Sequence, residues 1–152
     1  MKVSHFTVAT TVLAVATMAL GSYVSKVGAG LACPDWPLCP LEADPFILLE
    51  FGHRIIAFAT FLTGLVGFIA ASKTSYYRGR KLVHLGFTAL TIQVFIVGAL
   101  VIFTALPPLV VALHQAAAAS VVALYAAAST AAYYANVDGK HKNRADEKIY
   151  HV

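Results

Sequence analysis

The chain has 152 residues, of which 59% are hydrophobic and 12% charged, with a formal net charge of +4; its mean hydropathy is +0.75. Soluble domains run at roughly 45–50% apolar and about 25% charged, so the composition excludes a water-soluble globular protein. It describes an integral membrane protein, with no stretch left over for a separate soluble domain.

In chain order, four apolar runs cover about 6–24, 46–71, 82–106 and 108–135, and each meets the ~20 residues a bilayer-crossing helix needs. Backbone amides inside lipid must pair within the segment, so runs of this length are predicted as helices. The fold class is therefore all-α integral membrane, a bundle of four transmembrane helices. The first run follows Lys2 and invites a signal-peptide reading. However, it outlasts the 7–15 apolar residues of a signal h-region, and Ser22-Tyr23 closes it like an interface anchor. It is read as a true spanning helix.

Orientation follows from the basic residues. Lys73, Arg78, Arg80 and Lys81 lie between the second and third runs, and Lys140, Lys142, Arg144 and Lys148 lie in a tail over 136–152. The loop over 25–45 instead sets Lys26 against Asp35, Glu42 and Asp44. The positive-inside rule then predicts both termini inside (N-in/C-in), in a cell membrane, with the 25–45 loop on the extracytoplasmic side. The basic tail reads as a solvated anchor beside anionic lipid, and no nucleic acid is called for.

Within that outer loop stands "LACPDWPLCP", which holds the two cysteines of the chain and its one tryptophan. Thiols oxidise readily outside the cytoplasm, and a turn at Asp35-Trp36-Pro37 can bring Cys33 and Cys39 together. A disulfide is the leading reading, stabilising the loop by about 2 kcal/mol in the chain-entropy account. Free thiols, or a thiol pair trading electrons with a partner, are the alternatives. The spacing is not the C-x-x-C of a redox or zinc site.

Small residues fill the fourth run ("HQAAAAS", "AAAST"), and Gly64 and Gly67 lie in the second; both patterns predict close helix packing. Pro107-Pro108 makes the third and fourth helices a tight outer hairpin.

The polar residues within the apolar spans carry the chemistry. "LLEFGHRIIAF" places Glu50, His53 and Arg54 near the outer end of the second helix, and ionisable groups at such depth are functional candidates because burying them is costly. Glu50 and His53 share a face, and Arg54 sits one turn beyond Glu50, where it can pair with that carboxylate or with an anionic group of a ligand. A purely structural Glu–Arg pair is the alternative. His114 on the fourth helix lies about 10 Å below the outer entrance, as His53 does on the second. Two imidazoles at matching depth in an apolar surround suit the two axial positions of a heme iron, and zinc would want further ligands. The alternative is a histidine simply hydrogen-bonded across helices. His84 begins the third helix at the opposite end; His5, His141 and His151 lie at the chain ends; Gln93, near mid-membrane, can bond across helices or reach a cofactor, and the former is the favoured reading.

These residues carry a resemblance. "CPDWPLC", then Glu-x-x-His-Arg at the start of the second helix, then a histidine opening the fourth, resembles the heme A synthase family over about residues 31–114. The resemblance implies oxidation of a ring methyl of heme O, the substrate, to a formyl group for terminal oxidases, with heme b as cofactor. It implies a catalytic role for Glu50, axial ligation by His53 and His114, a heme propionate or Glu50 as the partner of Arg54, and Cys33 with Cys39 as the outer-loop pair. Family members usually carry eight helices in two halves, one for the substrate heme and one for heme b, and four helices are present here; either copies associate into a homo-oligomer or one histidine pair serves both purposes, and association is the favoured expectation. Heme O synthase or an oxidase are candidate protein partners. A b-type cytochrome electron carrier with the same two histidines, and a non-enzymatic heme-handling assembly factor, are the rival readings.

Overall fold

The computed structural model describes residues 3–39, 43–74 and 79–150, with side chains only as far as residue 135. Glu42, Arg78 and His151 lie outside the described residues, as do the side chains of Lys140, His141, Lys142, Arg144 and Lys148. Four long helices account for most of the rest: α1 (Val3–Lys26), α2 (Pro45–Ser72), α3 (Arg80–Phe103) and α4, which runs Pro108–Tyr150. All four are long and apolar enough to cross a membrane, α4 over Pro108–Ala135. The predicted tail at 136–150 continues α4 as helical backbone.

Local chemistry sets the helix ends. α1 stops where Gly28 takes φ 78, a left-handed conformation that costs glycine nothing. α2 opens one residue earlier than expected because Asp44 caps it: its Oδ1 accepts from the Phe46 and Ile47 amides at 2.8 and 3.1 Å, and Pro45, which has no amide hydrogen to lose, takes the first helical position. α3 stops at Phe103, three residues short of the predicted 106. Pro107 bars the helical conformation at the residue before it, and Ala105 and Leu106 turn left-handed at φ 59 and 58. Their amides close the end onto Ile102 and Val101 at 3.0 Å each. One turn of α3, Gln93–Val97, is π-helical.

The helices pack as a closed square. α1 lies against α2 and α4, and α3 against those same two, so α2 and α4 face one another along a diagonal across the interior. Hydroxyls tie neighbours together: Thr17 to Thr60 at 3.0 Å and Thr11 to Ser129 at 3.3 Å. Gly64 and Gly67 are buried on α2, Gly64 beneath Leu90 and the Tyr125 hydroxyl and Gly67 beneath Phe6, as the packing expectation required. Along α2, Ile55, Phe58, Leu62, Val66 and Ile69 are exposed at helical spacing, a stripe suited to lipid and too extensive for water.

Two clusters of buried apolar residues hold the helices together. Val3, Ala71, Val83 and Ala128 form a cluster at the end away from the 27–44 loop, and Leu90, Val121 and Tyr125 form another nearer the middle. Towards the loop the bundle opens into a cavity.

Candidate functional site

The cavity measures about 530 Å³, within the range of ligand sites, and its walls are overwhelmingly apolar. Leu90 and Val121 line its deep side, and Trp36, Pro37 and Leu38 of the loop cover it. Glu50, His53, Arg54, Gln93 and His114 all contribute to its wall. The structure thus brings His53 on α2 and His114 on α4 to one cavity, from the two helices that oppose each other diagonally.

Each imidazole is held from behind by a different neighbour. His53 lies against α1, so close to Gly21 that a Cβ there would stand 2.7 Å from its Cε1. Its Nδ1 is buried without a hydrogen-bond partner. The ring of His114 meets Gln93 of the π-helical turn, whose Nε2 lies 3.1 Å from Nδ1 and 3.0 Å from the His114 carbonyl oxygen. Gln93 therefore bonds across helices, as expected of it; that its partner is the site histidine was not legible.

Glu50 and Arg54 form the pair that their spacing allows. Arg54 Nε donates to Glu50 Oε1 at 2.9 Å, with both side chains largely buried. The rest of the guanidinium is spent on the loop: Nη2 donates to the Cys33 carbonyl at 2.7 Å, and Nη1 to the carbonyls of Asp35 and Leu38. Of the two partners considered for Arg54, the structure has Glu50, and adds a role the spacing did not suggest. The rigid five-donor fork clasps the loop to α2.

Cys33 and Cys39 are at disulfide distance, with Cα atoms 5.1 Å apart. The short ring they close holds Trp36 over the cavity, where its indole meets Phe95 edge-on at 6.2 Å. Arg54 is thus a latch on a cross-linked lid. Exchanging it for lysine, which keeps the charge facing Glu50 but cannot span several carbonyls at once, is expected to loosen the lid. Trp36 is the chain's only tryptophan, so its fluorescence reads the loop alone. A red-shifted, more readily quenched emission is expected for R54K, and an emission identical to the wild type would count against the latch.

The remaining histidines stand apart. His84, at the other end of the bundle, packs on Phe68 at 4.5 Å and bonds Ser72 Oγ at 3.0 Å; His5 is exposed. Among the described residues, no three His, Cys, Asp or Glu side chains gather as a metal-binding group. Sequence reasoning missed Gly21 and the π-helical turn. A glycine in a spanning helix is too common a packing device to have been singled out, and π-geometry leaves no mark in the apolar pattern.

No protein-family model matches the chain, and no solved structure matches it. Among curated proteins it is similar to the heme A synthase of Geobacillus thermodenitrificans, 32% identical over 95 residues, covering 57% of this chain and 29% of that protein. It is similar to the heme A synthases of Bacillus mycoides (strain KBAB4) and Bacillus cereus (strain 03BB102), each 36% identical over 92 residues, covering 55% of this chain and 29% of theirs. The chain thus spans less than a third of the length of the curated relatives it matches, and what it shares with them is a likeness over about half of itself.

Proposed function

We propose that this chain is a heme A synthase-like membrane oxidoreductase, which holds heme in the cavity between α2 and α4 with His53 and His114 as the axial pair and acts on a ring methyl of heme O. The observation that carries the reading is the meeting of two imidazoles, from diagonally opposed helices, at one apolar cavity of about 530 Å³. The fit to heme rests on two features. His53 and His114 both border one cavity, and its walls are apolar, as a porphyrin face requires.

When bound, heme supplies the one-electron chemistry of its iron. The chain's own residues do the rest. The Cys33–Cys39 loop covers the cavity and keeps water from it. Arg54 takes one oxygen of Glu50 and fixes the carboxylate on the cavity wall, where it serves as acceptor for a proton leaving the substrate methyl or as a stabiliser of positive charge developing there. With Lys73, Arg80 and Lys81 at the opposite end of the bundle, the lid faces the extracytoplasmic side. Copies associate through the exposed Ala116, Ala119 and Ser120 of α4, whose small side chains let helices approach.

The test is the identity of the bound pigment. Protein purified in mild detergent from cells making heme O is extracted and its pigments are identified by mass spectrometry. Heme O with hydroxylated or formylated derivatives is expected. Heme b alone would favour an electron-carrying cytochrome, and no heme would remove the reading altogether.

A further inference from the structure

Each residue turns an α-helix by about 100°, so side chains two apart point about 160° from one another. The cavity nevertheless borders α2 in both directions. His53 and Thr60 line it, and so do Ile55 and Phe58, each two residues from one of these. Ile55 and Phe58 also belong to the apolar stripe suited to lipid, at 52% and 51% exposure. A chamber enclosed within the bundle would touch one face of α2, so this one passes round the helix.

The flank it follows is the one towards α3. Glu50, Arg54 and Ala57 carry the wall from one face of α2 to the other, and Phe61, on that same flank, sets its ring against Phe95 and Phe87 of α3 at 4.9 and 5.5 Å. Phe95 itself lines the cavity and is 38% exposed. The result is an apolar slot between α2 and α3, edged by Phe58 and Phe95 and covered by Trp36 of the lid. Phe58 lies about 8 Å along α2 from His53. The exposed lining residues of α1 and α4 are of another kind, Ser22, Ser25 and Gln115, so the apolar way out is the one beside α3.

We propose that this slot is the binding site for a long apolar chain of the isoprenoid class, carried on the edge of the bound porphyrin. The proposal rests on the heme reading of the cavity. Lipid is as apolar as such a chain, so the slot adds no hydrophobic gain. What it supplies is a path: the ring reaches both imidazoles under the closed lid while its chain stays among lipid tails and meets no polar side chain. Heme O carries a chain of this class where heme b has a vinyl group, so the slot decides whether the site can take the tailed heme.

The experiment titrates the whole chain in mild detergent, as wild type, I55W, F58W and L62W, with ferric heme O and separately with ferric heme b, following the low-spin optical spectrum. Leu62 shares the exposed stripe but is not among the residues lining the cavity, so L62W is the control. Wild type and L62W are expected to bind the two hemes with similar affinity. I55W and F58W add bulk at the slot, and at least one of them is expected to bind heme O about 10-fold or more weakly, the scale of overfilling an apolar site. Its affinity for heme b should stay within about 2-fold of wild type, which also shows that the variant is folded. Heme O affinity unchanged in both variants, or lost in step with heme b, would leave the slot to a lipid chain and overturn the proposal, as would a wild type that takes heme b and rejects heme O. A wild type that forms a low-spin complex with neither heme would instead count against the heme site itself.

Discussion

Alanine at His53 or at His114 is expected to abolish the six-coordinate low-spin spectrum of the heme-loaded protein, leaving a high-spin five-coordinate species or no heme. The two rings approach one cavity from helices that do not pack against each other, and nothing else among the described residues gathers there as a ligand group. The loss in either variant should therefore be complete. Gly21→Ala gives an independent check. Its Cβ would fall 2.7 Å from His53 Cε1, a distance the ring can relieve only by moving, so the low-spin fraction should drop although no ligand has been removed. Low-spin spectra unchanged in both histidine variants would end the assignment.

Glu50→Gln separates an enzyme from a heme carrier. Glutamine is nearly isosteric with glutamate, and its carbonyl oxygen can still accept from Arg54 Nε. The guanidinium also keeps its bonds to the carbonyls of Cys33, Asp35 and Leu38, so the lid should stay latched and heme should stay bound. Conversion of heme O to heme A should nevertheless fall by about 10²-fold or more, the loss expected when a positioned proton acceptor is removed, with a hydroxylated intermediate accumulating. A purely structural Glu50–Arg54 pair predicts otherwise: breaking a buried pair costs about 3–5 kcal/mol, so heme content and thermal stability would fall along with activity. Chromatography of hemes from cells supplied with heme O, beside a melting curve of the purified variant, distinguishes the two. A stable, heme-loaded variant that makes heme A at the wild-type level would remove Glu50 from the chemistry.

The four helices, the shared face of Glu50 and His53, the Glu50–Arg54 pair and the Cys33–Cys39 link could all be read from the chain because each depends on local spacing or on bulk composition. Twenty apolar residues can do little in lipid but form a helix, and residues three or four apart on a helix are neighbours whatever surrounds them. Equal depth for His53 and His114 followed from helix rise alone. Depth, however, says nothing of direction. That the two rings meet at one cavity depends on α2 and α4 taking opposite corners of the square, which is a matter of packing between helices. The same holds for Arg54. Its reach to Glu50 is a matter of one helical turn, whereas its hold on three loop carbonyls exists only once the cross-linked loop folds back over α2. Gly21 against His53 and Gln93 against His114 are contacts between different helices, so no spacing within either helix encodes them. The sequence by itself thus determined the helices and the residues available at each depth, since these are short-range consequences of backbone pairing in an apolar solvent. Only the tertiary structure decided which side chains face the cavity, what stands behind each histidine and what closes the lid, because those are properties of packing between segments that the chain leaves far apart.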